Sequence, residues 1–466
     1  LAVSARLSAT DVTAALERGP ERPVPAGLAF TGVTIDSRRA RPGELFVALR
    51  GERYDGQRFL TDAVEAGVTG AVGRDAPFEG RDRIAFWPVG GGRAALQALA
   101  GWHRSRLPVR VVGITGSNGK TTAKEIVHAV LAQRFRTART VGNLNNQIGV
   151  PLTLLEIGAD HEWAVVEMGM NRPGEIAPLA RISRPEIAVV TNVAASHLEG
   201  VGSIEAVLEE KLALPRVLSP GGLFVYCGDQ ARLREAARGL ACRTLSYGLE
   251  PGNDLHPERW SLDDEGRGLF ELDGRTYRLR LVGRHNIVNA LAAVAIGREA
   301  GLPPSAIACG LAEPEGLPMR MQLERWGEIT ALVDCYNANP DSVLSAAASL
   351  AALSGVGRRI AVLGEMLELG PDSAALHEEV GRSLAGLIDQ VVAVGEEASA
   401  IARGARAAGL ESLHADRDEA VRWLVESLAP GDAVLFKASR GAALEEIVAQ
   451  VREACVNGVG ATEGGR

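Results

Sequence analysis

The chain has 466 residues, of which 46% are hydrophobic and 23% charged, with a formal net charge of −8. At roughly 150 residues per domain that length holds about three domains, and the negative balance argues against wholesale nucleic-acid binding while leaving room for a local basic pocket for an anionic small molecule. No apolar run reaches ~18 residues, so no membrane span is expected.

Taken in chain order, the first residues carry Arg6, Asp11 and Glu17 without a long apolar core, which is not the pattern of a signal peptide. Residues 1–88 read as a small α/β domain, with strands at 46–49 and 69–73 around a helical stretch at 55–67 that ends in Gly. The triplet Gly90 to Gly92 after Pro88 reads as a joint. Residues 89–317 open with a helix over about 93–106. They then set apolar strands at 110–115, 163–169 and 186–193 between helices, the signature of a mostly parallel sheet. A break at 313–318 leads to residues 318–466, where strands at 329–334, 358–366, 390–397 and 432–439 repeat the theme as a Rossmann-like domain. The tail from Gly458 is expected to be unstructured. The fold class is therefore α/β in three domains: a small α/β unit, a central unit that the GITGSNGKTT turn at 113–122 makes P-loop ATPase-like, and a C-terminal Rossmann-like unit. Cys227, Cys242, Cys309, Cys335 and Cys455 are scattered without a CxxC pair, as free thiols in a reducing cytoplasm would be.

Lysine usage is unusual. Of 50 lysines and arginines only four are lysine: Lys120, Lys124, Lys211 and Lys437. Arginine supplies nearly all generic surface charge. A retained lysine points to work a guanidinium cannot do, such as a compact charge on a phosphate or a nucleophilic amine.

The strongest motif is GITGSNGKTT at 113–122, which follows an apolar strand and opens a helix. Backbone N–H groups at such a turn cradle phosphate oxygens, with Lys120 reaching the β/γ-phosphates and the Thr121 hydroxyl available to Mg²⁺. The spacing departs from the strict P-loop because Ile114 stands at the first glycine position. Glu167 ends one strand and His197 follows another, so both lie at the sheet edge where α/β proteins bind ligands. Each is either a strand-end polar group or, with Thr121, part of a Mg²⁺ or Mn²⁺ site. In the helix 203–214, capped by Ser203, Ile204, Val207, Leu208 and Leu212 form the apolar stripe and Lys211 shares it. Lys211 either snorkels to the surface or is a desolvated amine able to add CO₂ and become a carbamate. Three further polar segments stand at strand or helix ends: 333–342, where Asp334 ends a strand and Asp341 or Ser342 caps the next helix; 283–295, with His285, Asn286 and Asn289; and 437–441, with Lys437 and Ser439.

Together with DSR (36–38), GNLNNQIGVP (142–151), EMGMNRPGEI (167–176), TNVAASHLE (191–199) and LGEMLELG (363–370), these motifs resemble the Mur ligase family across nearly the whole chain. Within it, GNLNNQIGVP and YNANPDS (336–342) resemble the members that add D-alanyl-D-alanine. The resemblance implies an ATP-dependent amide ligase of peptidoglycan precursor synthesis, cytoplasmic and monomeric, acting on a UDP-muramyl tripeptide and D-alanyl-D-alanine. It implies ATP contacts from Gly113, Thr115, Gly116, Ser117, Asn118, Gly119, Lys120, Thr121, Thr122, Asn286, Arg320 and Asp334. It further implies two Mg²⁺ ions held by Thr121, Glu167, His197 and a carbamylated Lys211. Catalysis falls to Lys120, Lys211 and His197. Substrate contacts are implied for Ser37, Arg38, Asn143, Asn145, Asn146, Tyr336, Asn337, Asn339, Lys437 and Ser439. Two positions depart from the family pattern: Ala438 replaces a glycine, and Cys335 stands where an acidic or small polar residue is common. A diamino-acid-adding or folylpolyglutamate-synthetase-like ligase, and a non-catalytic nucleotide-binding relative, remain open alternatives. The diamino-acid type carries an arginine that 336–342 lacks.

Overall fold

In the computed structural model, which describes residues 2–460 apart from 4, 52 and 53, the chain builds three main sheets. The N-terminal sheet runs in the order Ala2–Val3, Val33–Thr34, Leu45–Val47, Gly70–Gly73 and Ala85–Pro88, parallel except for its first pair. Within 55–67 the expected helix divides into a 3-10 turn, Gly56–Phe59, and a short α-helix, Leu60–Glu65.

The helix Gly92–Ser105 follows the glycine joint and buries Ala95, Leu96, Leu99 and Ala100 on one face. It packs on the helices Ala9–Leu16, Gly149–Glu156 and Ile176–Ser183, so it bridges the first two domains. A single apolar cluster consequently runs from Phe30 and Trp87 through Leu99 to Val112 and Leu291.

The central sheet is wholly parallel, in the order Arg243–Tyr247, Leu223–Cys227, Ile187–Val190, Arg110–Thr115, Trp163–Glu167 and Thr137–Arg139. Its inner strands are covered on both faces, which is why they read as unbroken apolar runs. The chain order reverses at Arg110–Thr115, opening a crevice at the carboxyl ends of that strand and its two neighbours. An antiparallel three-stranded sheet, Arg259–Leu262, Arg267–Leu272 and Arg275–Val282, is an addition that the strand-and-helix reading did not contain. Its signal is the period-two alternation of buried Tyr277, Leu279 and Leu281 with exposed Arg278 and Arg280.

The C-terminal sheet has Gln322–Trp326 as an antiparallel edge. Ile329–Asp334, Ala433–Lys437, Arg359–Gly364, Gln390–Val394 and Glu411–Ala415 follow in parallel. Separate apolar clusters cover its two faces. The helix Pro340–Ala351 is capped by Asn339 and not by Asp341 or Ser342. Proline fits the first helical position, which moves the cap to the residue before it, and Ser342 serves as the reciprocal partner in the capping box. The helix Glu445–Gly460 continues past Gly458, where an unstructured tail was expected; residues 461–466 lie outside the described residues. All five cysteines are free. Among the described residues no helix is long and apolar enough to cross a membrane.

Candidate active site

At the carboxyl edge of the central sheet the loop 116–119 turns the strand Arg110–Thr115 into the helix Lys120–Ala132. Gly116 has φ +151°, and a Cβ there would lie 1.9 Å from Thr191 Oγ1, so the loop closes only with glycine. Asn192 and Thr191 hold the loop from behind. Asn118 N donates to Asn192 Oδ1 at 2.8 Å, and Thr191 Oγ1 donates to Asn118 O at 2.6 Å. No side chain caps the helix, so its first-turn N–H groups are free for an anion. Lys120 Nζ donates to Gly116 O at 2.7 Å and Ser117 O at 3.1 Å. Burial pushes its pKa down to about 8, with Arg320 lowering it further and Glu167 opposing. Lys120 and Arg320 thus line one cavity from two domains.

Glu167 is fully buried at the end of its strand. Its Oε1 accepts from Thr121 Oγ1 at 3.1 Å and Asn145 Nδ2 at 2.7 Å, while Oε2 has no hydrogen-bond partner. A buried carboxylate with an unsatisfied oxygen beside a threonine hydroxyl fits a hard divalent cation. Mg²⁺ characteristically takes one or two carboxylates and leaves its other positions to phosphate and water. No group of three or more His, Cys, Asp and Glu residues able to hold a metal occurs among the described residues.

Lys124 is the residue the sequence reading passed over. It is fully buried, donates to Thr140 O at 2.8 Å and Gly142 O at 3.3 Å, and lies 3.8 Å from Glu167 Oε2. Thr140 Oγ1 in turn accepts from Glu167 N at 3.0 Å. Lys124 therefore ties the loop that carries Asn145 to the carboxylate that Asn145 holds. The available signal was the scarcity of lysine itself.

Lys211 lies on the buried face of the helix Ile204–Leu212, capped by Ser203 as expected. It is 1% exposed. Burial first, and the charge of Lys120 next, hold its pKa well below the ordinary lysine range. His197 lines the crevice with a left-handed φ of 57°.

The C-terminal domain closes the other side. Lys437 Nζ donates to Asp334 Oδ2 at 2.6 Å and Asn337 O at 2.9 Å, from strands in register at that pair. The Arg320 guanidinium stacks over Tyr336 at 3.8 Å. Asn118 and Asn339 exchange amide hydrogen bonds across the seam at 3.2 and 2.7 Å. Ser345 Oγ meets His285 Nδ1 at 3.1 Å, and burial pushes the His285 imidazole down to about 4.

One cavity of about 1150 Å³ joins these groups. Ser117 to Thr122, Asn143, Asn145, Asn146, Glu167, His197, Asn286, Arg320, Asp334, Tyr336, Asn337 and Lys437 line it. That exceeds the ~300–1,000 Å³ of a single-ligand pocket, which leaves room for more than one substrate. Other expected residues sit elsewhere. Gly113 and Thr115 are inside the strand, where a Cβ on Gly113 would meet Leu214 at 2.9 Å. Gly116 and Lys211 lie outside the lining. Asn339 works as cap and seam contact, and Ser439 Oγ accepts from Leu367 N at 2.9 Å. Ser37 and Arg38 form a 3-10 turn in the N-terminal domain, with Arg38 forked onto Asp36 beside a separate small pocket. The two departures are packed away from the cavity: Cys335 is buried, and Ala438 faces Gly364, where a Cβ would come to 2.7 Å. Asn286 and Asn289 are not helix caps; Asn286 donates to Val282 O at 2.8 Å, and Asn289 packs on Gly119.

Comparison with known proteins bears on this geometry. Residues 29–101 match the family model for the Mur ligase family catalytic domain, 114–297 that for the Mur ligase middle domain, and 319–440 that for the Mur ligase glutamate ligase domain. The UDP-N-acetylmuramoyl-tripeptide–D-alanyl-D-alanine ligase of Bacillus subtilis is 38% identical over 429 residues, covering 91% of this chain and 93% of its own. A crystal structure of MurF from Acinetobacter baumannii superposes with a TM-score of 0.88 at 32% identity, covering 97% of this chain and all of that one. MurF from Thermotoga maritima, solved in complex with ADP, gives 0.82 at 29% identity over 91% of this chain and 98% of that one.

Proposed function

The chain belongs to the Mur ligase family, and from that premise we propose that it joins D-alanyl-D-alanine to a UDP-N-acetylmuramoyl-tripeptide while ATP becomes ADP and phosphate. The observation that carries this reading is the single cavity in which a phosphate loop from one domain faces Arg320, Tyr336 and Lys437 from another. A diamino-acid-adding or folate-type activity is not favoured, because the relatives at 33–38% identity over most of the chain carry the D-alanyl-D-alanine name. A non-catalytic relative would have no need to keep Lys120, Glu167, His197 and Lys211 together.

A carboxylate is unreactive toward an amine, so the tripeptide's terminal carboxylate first takes the γ-phosphoryl group of ATP to give an acyl phosphate. The amine of the dipeptide then attacks the acyl carbon and phosphate leaves. The loop N–H groups and Lys120 hold the phosphates, and Arg320 and Asp334 close over the nucleotide with Asn286 near the base. Lys120 and Arg320 are placed to offset charge that builds up during phosphoryl transfer. Asn143, Asn145, Asn146, Tyr336, Asn337 and Lys437 border the substrates, and the turn at Ser37 and Arg38 takes the UDP end. Mg²⁺ held by Thr121, Glu167 and His197, with a second ion supported by carbamylated Lys211, would supply further charge neutralisation.

Lys211 is the sharpest element of the reading. A buried ammonium with Lys120 as its charged neighbour is costly, whereas a neutral amine adds CO₂ and releases a proton to give a carbamate. That reverses the charge and creates an oxygen ligand for a cation. Lys211→Arg is expected to be inactive, and Lys211→Ala to regain part of its activity with short carboxylic acids. Near-normal turnover by Lys211→Arg would end the carbamate reading.

Three domains bounded near 88 and 317, a cytoplasmic location and a monomeric state complete the proposal. The reaction is tested by supplying ATP, Mg²⁺ and UDP-muramyl tripeptide with D-alanyl-D-alanine, L-alanyl-L-alanine, a diamino acid or glutamate. D-alanyl-D-alanine should give stoichiometric ADP and the pentapeptide product. Equal or faster phosphate release with the diamino acid or glutamate would contradict the assignment.

A further inference from the structure

The motif LGEMLELG at 363–370 leaves the C-terminal sheet and has no part in the reaction as described above. Its Glu368 reaches across the seam: His197 Nδ1 is hydrogen-bonded to Glu368 Oε2, and Glu199 N donates to Glu368 O at 3.1 Å. Both residues are held in the left-handed region, with φ of 57° for His197 and 64° for Glu368. Non-glycine residues adopt that conformation when the surroundings over-determine it. Two residues in the left-handed region, from different domains, thus meet through one side-chain contact, with the backbone contact from Glu199 beside it.

The contact has a chemical consequence. An ionised carboxylate can only accept, so the imidazole must donate from Nδ1, and in the neutral ring this leaves the lone pair on Nε2. Histidines that ligate metals are oriented in this way by a carboxylate on the far nitrogen. Here that carboxylate belongs to the other domain.

We propose that Glu368 is a positioning residue for His197: docking of the C-terminal domain sets the His197 tautomer and presents Nε2 to the cavity, so the site on the central domain is complete only when the domains meet. This rests on the reading of His197 as a metal ligand. Glu368 is exposed enough, at 49% of its side chain, for substitution without loss of the fold.

The test uses the full chain with ¹⁵N-histidine at pH 8, a non-hydrolysable ATP analogue and both substrates, with His197→Gln to assign the resonance. Wild type should show the Nδ1–H tautomer, and Glu368→Ala should shift His197 toward Nε2–H. Mn²⁺ titrations followed by electron paramagnetic resonance should show affinity falling about 10–100-fold in Glu368→Ala. Glu368→Gln, whose amide oxygen still accepts from Nδ1, should lose less. An unchanged tautomer in Glu368→Ala overturns the inference. A shifted tautomer with Mn²⁺ affinity untouched in His197→Gln supports the positioning role and overturns the metal reading instead.

Discussion

The two junctions between domains are built from different materials. The N-terminal and central domains share one apolar cluster, threaded by the helix Gly92–Ser105. The C-terminal domain has its own clusters and meets the central domain mainly through polar groups: Asn118 with Asn339, His197 with Glu368, and His285 with Ser345. The main apolar exception is Val282, which joins the C-terminal cluster from the antiparallel sheet. Apolar burial fixes a junction because separating it exposes surface to water. Polar contacts exchange with water at little net cost. The second junction is therefore the one suited to opening and closing, and it is the one that carries the phosphate loop.

If that contrast is right, substitutions should separate cleanly into those that cost activity and those that cost stability. The largest effect belongs to Lys120→Ala, which should lower phosphate release about 10³-fold while leaving the thermal midpoint close to that of wild type. Coupled loss of both would mean that the loop is structural. Leu99→Ala, in the bridging helix, should do the reverse and destabilise the joined N-terminal and central domains by about 2–5 kcal/mol. Urea unfolding monitors this, and turnover at low temperature should be retained.

Much of this was legible in the sequence. The parallel sheets announced themselves because strands covered on both faces are unbroken apolar runs. The phosphate loop did so because glycine, lysine and threonine are each required there by backbone geometry or charge. Lys211 was visible as a cation on an apolar stripe. The sheet 259–282 was not seen, since its alternation is half polar and falls between stronger helical signals. The role of Lys124 was hidden because its partners are carbonyls of residues 140 and 142, and backbone acceptors leave no mark in a sequence. Glu368 was hidden for a related reason: its partner is 171 residues away.

Two smaller effects probe the polar junction alone. Asn339→Ser keeps a helix cap but removes the amide exchange with Asn118. KM for ATP or the dipeptide should rise between about fivefold and thirtyfold, the value of ~1 kcal/mol for each of the two hydrogen bonds lost, with the thermal midpoint unchanged. His285 has a folded pKa near 4 against an ordinary 6.5. Above 6.5 both the folded and unfolded states hold it neutral, and as pH falls toward 4 the unfolded chain takes up a proton that the folded one refuses. Stability is lost across that window. His285→Gln should flatten the loss, as measured by urea unfolding at pH 7 and pH 4.5; an unaltered slope would place the titrating group elsewhere.

The most direct test of the split between a fixed and a movable junction is small-angle scattering of the full chain, free and with an ATP analogue and both substrates. Rigid-body rotation of the C-terminal domain about residues 313–318, with the N-terminal and central domains unchanged as one body, should account for the difference between the two profiles. Superimposable profiles, or a difference that requires the first two domains to separate, would contradict it.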